Sequence, residues 1–335
     1  MDVFRPAVGR SMGSLMVALR CAGAMGVVSA VGAVSAAGAV GAVGAAACCT
    51  ARASGAELPP PQCASQVVSY APGVGAGINY QNPNAALGPP TRMTGSGAST
   101  GVVSPFQPPF MPGEVVSVGR GGWLVLEFDP PVVDDPRHPF GVDLIVYGNS
   151  FFGDLGYPGG VVGFLFEEGG TVELSSDGTV WHAVPGAADG GLPTMAYLDA
   201  GPYQAVAGQV PCDPAWPVDP AVQGEDLVGM DYSTLQLVYA GACGGTSVDL
   251  AAAGLQQARF VRISVAANAA SVPEVDAVVA VRVPQASADL DGSGVVDGTD
   301  LGLLLGAWGT AGPGDLDGNN VVDGTDLGML LGAWS

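Results

Sequence analysis

The chain has 335 residues, a formal net charge of −21 and no lysine. A surface this acidic repels phosphate groups, so we expect neither nucleic acids nor anionic membranes as partners. The length allows one large domain followed by a small one.

Residues 1–56 have the pattern of an export signal followed by a spacer. Arg5, Arg10 and Arg20 precede a stretch at 21–50 that contains no charged side chain and is rich in small residues. A basic start, an apolar run and small residues suited to cleavage predict secretion or display at the cell surface, with no membrane span after cleavage. Because the uncharged run is long enough to cross a bilayer, an uncleaved N-terminal anchor is the alternative.

Residues 57–284 change to short β-rich runs separated by glycine and proline. The pattern predicts seven clear strands, at 123–128, 143–147, 171–175, 179–184, 235–239, 259–264 and 277–282. Ser176, Asp177 and Gly178 predict a hairpin turn between the third and the fourth of these strands. Since this segment shows no long amphipathic helix, we predict a mainly β fold, a β-sandwich and most simply a jelly roll.

Phrases spread over this segment resemble a family of exported bacterial surface proteins whose members often carry sorting or dockerin modules. The phrases lie at 67–73, 82–90, 115–119, 143–151, 172–178, 260–263 and 275–278. The resemblance implies a jelly roll like that of discoidin or of carbohydrate-binding modules. It transfers no catalytic residue to this chain.

Candidate ligand-binding and catalytic side chains are few. Trp216 lies in a proline-rich loop and is the best candidate to stack on a sugar ring, whereas Trp123 and Trp181 lie on predicted strands, where aromatic residues more often belong to the core. The chain has only two histidines and no nucleophile-elbow motif, and its paired acidic residues are sequence neighbours, which point in opposite directions in an extended chain. We therefore predict no catalytic residue.

Cys212 and Cys243 lie 31 residues apart in segments rich in glycine and proline. No Cys-x-x-Cys spacing occurs in the sequence, so a zinc site is not expected. In an oxidising compartment these two cysteines can form a disulfide, and two unpaired thiols are the alternative.

Residues 285–335 contain one loop-and-helix pattern twice, with Asp315 repeating Asp289 after 26 residues. In each copy, oxygen-bearing groups occupy positions 1, 3, 5, 7, 9 and 12 of a loop, the spacing with which EF-hand loops surround calcium. The predicted ligands are Asp289, Asp291, Ser293, the Val295 carbonyl, Asp297 and Asp300 in the first copy, and Asp315, Asp317, Asn319, the Val321 carbonyl, Asp323 and Asp326 in the second. Position 6 needs a left-handed backbone, which Gly294 provides and Asn320 tolerates.

The charge of this segment also calls for a cation. It contains eight aspartates and no basic residue, and these carboxylates repel one another strongly unless a cation neutralises them. We predict two bound calcium ions, and a solvated acidic tail is the alternative.

After each loop, apolar residues recur at i, i+3, i+4 and i+7 and predict one apolar face on a short helix. These residues are Leu301, Leu304, Leu305 and Trp308, and Leu327, Leu330, Leu331 and Trp334. We predict that the two helices pair through these faces, with both tryptophans capping the small core; a place at its edge is the alternative. Because no amphipathic helix precedes either loop, each unit is half of an EF-hand.

This duplicated unit, with aspartate at position 12 and no entering helix, resembles a type I dockerin. The resemblance implies a small all-α module that docks onto a cohesin-like domain and attaches secreted proteins, often polysaccharide-degrading ones, to scaffolds or cell surfaces. It assigns partner recognition to loop positions 10 and 11, which dockerins often fill with Ser-Thr. The residues at these positions are Gly298 and Thr299 in the first loop, and Gly324 and Thr325 in the second.

Together these patterns predict an exported, non-catalytic binding or surface protein that associates with carbohydrate and is anchored through a calcium-dependent dockerin. Two alternatives stay open. One is a dockerin-bearing enzyme of polysaccharide breakdown, a glycoside hydrolase or a lyase; hydrolysis would require a convergent pair of carboxylates. The other is a structural envelope protein whose β-sandwich has no ligand.

Overall fold

The computed structural model of the protein describes residues 59–284, 287–312, 314–319 and 321–335. The predicted export signal at 1–56 lies outside these ranges. Within them, no helix combines the length and the apolar character that crossing a membrane requires.

The described residues form a mainly β structure, as predicted. Its strands are β1 (Gln66–Ala71), β2 (Met93–Thr94), β3 (Gly101–Val102), β4 (Val116–Ser117), β5 (Trp123–Val133), β6 (Leu144–Gly148), β7 (Phe151–Asp154), β8 (Val162–Phe166), β9 (Gly169–Ser175), β10 (His182–Asp189), β11 (Thr246–Val248), β12 (Gln257–Ser264) and β13 (Glu274–Ala280). Its α-helices are α1 (Tyr232–Tyr239), α2 (Gly298–Gly306) and α3 (Gly324–Gly332).

Two larger sheets dominate residues 59–284, which we call the β region. The first sheet has five strands in the order β1-β5-β12-β9-β10, and the second has four in the order β11-β6-β13-β4. Two short strand pairs, β2-β3 and β7-β8, accompany them. All of these pairings are antiparallel, so the chain needs none of the helical crossovers that parallel strands require.

One apolar core lies between the two large sheets. Alternate residues of β5, β9 and β12 face it, and Leu124, Leu174 and Ile263 are fully buried there. Leu144 of β6 and Val278 of β13 belong to the same core, although they come from the second sheet. The two sheets therefore pack face to face.

The four-stranded sheet is covered on its other face as well. Ile145 and Tyr147 of β6 belong to a second apolar cluster, together with Leu235 and Tyr239 of α1. A strand that is covered on both faces needs apolar residues at every position, which explains why all five residues of β6 are buried. The outer face of the five-stranded sheet is different, since it carries exposed side chains such as that of Trp123.

The strand predicted at 235–239 is wrong, because these residues belong to helix α1. The Asp231 side chain caps the helix by accepting a hydrogen bond from the Thr234 N–H at 2.8 Å. Leu235 and Tyr239, which are four residues apart, are both buried, as one face of a helix requires. The other six predicted segments overlap β5, β6, β9, β10, β12 and β13.

The predicted hairpin at 176–178 joins β9 to β10, which pair in antiparallel fashion. Its connection is longer than predicted, because β10 begins only at His182. The Asp177 carboxylate accepts the N–H groups of Thr179 at 2.8 Å and Val180 at 2.9 Å, and these bonds keep both residues in the turn.

Residues 287–335, which we call the repeat region, contain helices α2 and α3 and a small core. The buried members of this core are Leu304, Leu316, Val322 and Leu330, so each helix contributes one fully buried leucine. Trp308 and Trp334 are 47% and 46% exposed, which makes their predicted place in the core wrong. A core of this size covers only a narrow strip of each helix, so the rest of the predicted apolar face meets solvent.

Two backbone hydrogen bonds join the repeats reciprocally. The Gly309 N–H, just after α2, donates to the Val322 carbonyl at 2.9 Å, and the Ser335 N–H, just after α3, donates to the Val296 carbonyl at 3.2 Å. With the 26-residue period, Ser335 is the counterpart of Gly309 and Val296 is the counterpart of Val322. The second bond is therefore the first one with the two repeats exchanged. A contact that repeats on exchange is characteristic of twofold symmetry, so the repeat region is pseudo-symmetric.

The shared core of the two sheets predicts a large cost for removing an inward side chain. We expect Leu174→Ala to lower the free energy of unfolding by about 3 kcal/mol, because it leaves a cavity in a closely packed cluster. Thr171→Ala, on the same strand but exposed, is the matched control and should change it by less than about 0.5 kcal/mol. Urea unfolding followed by tryptophan fluorescence measures both values, and equal losses would contradict the assignment of the two faces of β9.

Candidate metal centre

The structure brings together three of the predicted ligands in the first acidic loop. One carboxylate oxygen from each of Asp289, Asp291 and Asp300 lies within 4.8 Å of the other two. These residues occupy loop positions 1, 3 and 12, so the chain must fold back on itself for them to meet. Carboxylates gathered in this way can hold a metal ion.

Backbone N–H groups of the same loop set the direction of the first two carboxylates. Asp289 accepts hydrogen bonds from Ser293 at 3.0 Å and from Gly294 at 2.8 Å, and Asp291 accepts one from Ser293 at 2.9 Å. Gly294 has the predicted left-handed backbone, with φ of 88°. The Ser293 hydroxyl donates to the Val295 carbonyl at 3.1 Å, so the predicted ligands at positions 5 and 7 are also neighbours.

Asp300 both closes the loop and helps to start the helix. Its Oδ1 accepts the N–H groups of Leu290 at 2.7 Å and Asp291 at 3.1 Å, and its Oδ2 accepts that of Asp297 at 2.8 Å. The bond from Asp297, with those from Asp291 and Leu290, outweighs burial and lowers the pKa of the Asp300 carboxyl. Asp300 is therefore ionised at neutral pH, as a metal ligand must be.

Asp297, the predicted ligand at position 9, caps helix α2. Its carboxylate accepts the Thr299 N–H at 2.7 Å and forms a reciprocal capping box with Asp300 at the start of α2. Asp297 is not a member of the three-carboxylate group. Position 9 ligands often act through water, so a direct carboxylate contact is not required there.

The second loop repeats this arrangement with Asp315, Asp317 and Asp326, whose carboxylate oxygens again lie within 4.8 Å of one another. Burial acts to raise the pKa of the Asp326 carboxyl, but backbone N–H groups from Asp323, Asp317 and Leu316 lower it overall. Asp323 caps α3 by accepting the Thr325 N–H at 2.7 Å.

Position 5 of the second loop uses an amide where the first loop uses a hydroxyl. Asn319 donates from Nδ2 to Asp317 at 3.0 Å, and its Oδ1 accepts the Val321 N–H at 2.8 Å. Asn320, at position 6, lies outside the described residues. The two loops therefore share the convergent carboxylates and the helix cap, and they differ in how position 5 is held.

The predicted partner-binding residues lie at the solvent-facing start of each helix. Gly298 and Thr299 begin α2, Gly324 and Thr325 begin α3, and all four are exposed. Their side of the repeat region is thus accessible to another protein.

The disulfide predicted between Cys212 and Cys243 is not formed in this structure. Both residues are buried as free thiols. They meet because the adjacent residues Asp213 and Ala242 form a β-bridge. Burial raises the pKa of the Cys243 thiol well above its ordinary value, which keeps it protonated.

The exposure of Trp123 differs from the prediction, and the stacking role of Trp216 stays a prediction. Trp216, the predicted stacking residue, is partly buried and packs against the second apolar cluster. Trp123, which we expected in the core, is 42% exposed on the outer face of the five-stranded sheet. The alternation along the strand already indicated this exposure. Trp123 lies on the same face of β5 as Glu127, whereas Leu124 and Leu126 lie on the opposite face.

A buried histidine is paired with an acid in the β region. His138 Nδ1 lies 2.7 Å from Asp143 Oδ1, and the other Asp143 oxygen accepts the Leu250 N–H at 2.8 Å. Both side chains are almost fully buried, so this pair holds the chain before β6 in place.

Glu168, Asp189 and Glu274 form a further acidic group that the sequence did not reveal. Burial raises the pKa of Asp189 to about 7, and burial together with the interaction with Glu168 raises that of Glu274 to about 8. A carboxyl-carboxylate hydrogen bond needs a shared proton, which these pKa values retain near neutrality. More than a hundred residues separate Glu168 from Glu274 in sequence, so no local motif could have identified the group.

Comparisons with known proteins give no assignment for this chain. No protein-family model matches it, and no curated protein matches it either.

The shared proton predicts a pH dependence of stability. The folded chain holds the Glu274 proton up to pH of about 8, whereas the unfolded chain loses it near the ordinary value of 4.5, so stability falls as pH rises between these values. Glu274→Gln lacks this titration, so its free energy of unfolding minus that of wild type should rise by on the order of 2 kcal/mol from pH 5 to pH 8.

Urea unfolding at the two pH values measures this difference, with the exposed Glu225→Gln as the matched control. If the free energies of unfolding of wild type and Glu274→Gln change by the same amount from pH 5 to pH 8, Glu274 is not protonated in the folded state.

Proposed function

We propose that the protein is an exported, non-catalytic binding protein, anchored to a scaffold or cell surface through a calcium-loaded dockerin in its repeat region. The β region is then a jelly roll that associates with polysaccharide. The observation that carries the proposal is the pair of acidic loops, each of which gathers three carboxylates through matching backbone contacts.

The kinds of oxygen in each loop favour calcium over magnesium. The first loop offers carboxylates, the Ser293 hydroxyl and the Val295 carbonyl within one short segment. Calcium accepts six to eight such oxygens in a flexible geometry, whereas magnesium requires a near-ideal octahedron and retains several waters. A divalent cation also neutralises carboxylates that otherwise repel one another.

The exposed apolar residues on the helices support a docking role. Leu305 and Trp308, after the first loop, and Leu331 and Trp334, after the second, are all about half exposed. Large apolar side chains in solvent, repeated by symmetry, are features of a surface that another protein buries. We infer a cohesin-like domain as the partner, on the basis of the resemblance to dockerins.

The export part of the proposal is supported by sequence alone. The basic start and uncharged run within residues 1–56 are typical of a secretory signal. Calcium in the millimolar range outside the cell fits loops in which some of the proposed ligands, such as Ser293 and Asn319, are exposed and neutral.

Calcium titration of the full chain tests the metal site. After treatment with a chelator, we expect isothermal titration calorimetry to show two calcium ions per chain, one for each acidic group in the repeats. Asp300→Ala should leave one ion, bound more weakly because the repeats share a core, and Asp300→Ala/Asp326→Ala should leave none.

Asp219→Ala is the control, because Asp219 is an exposed aspartate that holds a turn in the β region by accepting the Ala221 N–H at 2.9 Å. It should retain both ions. Equal calcium uptake by the double variant and by this control would exclude the loops as the site.

Twofold symmetry predicts that the partner can bind in either of two orientations. Thr299→Arg alone should weaken capture of the protein by a panel of immobilised cohesin domains less than about threefold, because Thr325 offers an equivalent surface. Thr299→Arg/Thr325→Arg should abolish capture while calcium binding is retained.

Thr179→Arg, in an exposed turn of the β region, is the control for added charge and should be captured like wild type. Loss of capture in the single variant, or undiminished capture of the double variant, argues against two equivalent faces. Failure of every cohesin domain to capture wild type argues against the dockerin interpretation itself.

A further inference from the structure

A groove of about 360 Å³ lies on the outer face of the five-stranded sheet. We call it the outer groove, and it is lined chiefly by Val68, Ser69, Trp123, Val125, Trp181 and Arg262. Its volume falls at the lower end of the range for small-molecule sites. None of these residues belongs to the acidic loops of the repeat region.

The register of the sheet puts the polar residues of the groove in one row. Ser69 is paired with Val125, Val125 with Arg262, and Arg262 with Glu173, across β1, β5, β12 and β9. Residues directly opposite each other project from the same face of a sheet. The row therefore runs across the outer face, with the apolar core of the β region on the opposite side of the same strands.

A β-bulge adds an apolar residue to this face. The register of β1 shifts between Val67 and Ser69, which leaves Val68 without a partner on β5. Bulges commonly redirect a side chain next to a functional site. Here Val68 is about half exposed and lines the outer groove beside Ser69.

Both tryptophans of the groove are held by polar contacts. Trp123 donates from its indole nitrogen to the Ser69 hydroxyl at 3.1 Å, and it is 42% exposed. The Arg262 guanidinium stacks over the Trp181 ring, 4.3 Å from its centroid. Because the rings are fixed before a ligand arrives, binding costs less conformational entropy.

The charges of the groove are balanced within it. Arg262 forms a two-point ion pair with Glu173, with N–O distances of 2.7 and 2.6 Å, and the Ser264 hydroxyl donates to the same carboxylate at 2.7 Å. In the described part of the chain, neither Arg262 Nη1 nor the hydroxyl hydrogen of Ser69 is used in a hydrogen bond. The groove thus offers polar donors without a net charge.

We propose that the outer groove binds a neutral saccharide. A pyranose ring has an apolar C–H face suited to an exposed indole, and hydroxyl groups at its edge suited to Ser69 and Arg262. An acidic sugar is disfavoured, because the one arginine in the groove is already paired with Glu173 and the chain has a net charge of −21. Addition of an extended peptide strand over Trp123 and Arg262 is disfavoured too, because β5 and β12 are internal strands whose backbone groups are already paired, and β1 is the groove's one strand at a sheet edge.

This inference rests on the proposed function only in taking the β region as the part that binds carbohydrate, and it does not depend on the acidic loops. The probes are the neutral oligosaccharides cellohexaose, xylohexaose and mannohexaose, with a galacturonic acid oligomer as the acidic comparison. Binding to the full chain with calcium is measured by calorimetry. At least one neutral probe should bind, and the acidic oligomer should bind more weakly.

Trp123→Ala should weaken the binding of that neutral probe at least tenfold, whereas Trp123→Phe, which keeps an aromatic ring, should retain most of it. Phe166→Ala is the matched control, since Phe166 is an aromatic residue exposed to a similar extent, at 49%, but lies on β8, outside the outer groove. Urea unfolding verifies that each variant is folded. Equal weakening by the two alanine variants, or none by Trp123→Ala, overturns the assignment to the outer groove.

Binding of the acidic oligomer alone, or of no probe, overturns the proposed ligand class. Repeating the titration after calcium removal separates this inference from the docking proposal. Saccharide binding should persist without calcium, and its loss there would contradict a site built only from the β region. Failure of calcium to bind the loops affects the docking proposal and leaves the groove unchanged.

Discussion

The hydrogen bonds of the position-12 aspartates are the contacts on which the repeat region depends. Asp300 accepts two N–H groups from the start of its own loop and a third from Asp297, the residue that caps α2. One carboxylate thus closes the loop, directs an oxygen toward the other acids and fixes where the helix begins. Asp326 has the same three contacts in the second repeat. Everything after these residues, including the leucines of the core and the exposed tryptophans, is positioned by them.

The reciprocal bonds between repeats make the two loops interdependent. Each helix end is bonded to the loop of the other repeat, through Val322 and Val296. Changes in one loop therefore reach the other through a backbone contact as well as through the shared core. The same symmetry presents two similar apolar surfaces. In the β region, one face of the five-stranded sheet contributes to the apolar core, and the opposite face carries the outer groove.

The sequence was most informative where residues act locally. The spacing of aspartates identified the convergent carboxylates at positions 1, 3 and 12, and the need for a left-handed residue identified Gly294. Alternation located most of the strands for the same reason, since burial on one face is a local pattern. Helix α1 was missed because its apolar residues Leu235, Leu237 and Tyr239 also alternate, while its cap at Asp231 lies before that run.

Features set by tertiary packing were beyond the reach of the sequence. The extent to which Trp216 is buried depends on the second apolar cluster, which α1 helps to form, and the exposure of Trp308 depends on how small the repeat core is. The grouping of Glu168 with Asp189 and Glu274 depends on how three distant segments meet. The exposure of Trp123 could have been predicted from the alternation of buried and exposed residues along β5. The general preference of aromatic strand residues for the core gave the wrong prediction at this position.

Hydrogen exchange of the full chain, measured by mass spectrometry with calcium and then with a chelator, tests the central claim most directly. If calcium binding organises the repeats, peptides from residues 287–335 gain protection with calcium in both loops and both helices, because the binding energy of the ion is folding energy. Peptides from residues 59–284 should exchange at the same rate in the two conditions. Unchanged exchange in the repeat region, or an equal gain across the β region, would contradict the account.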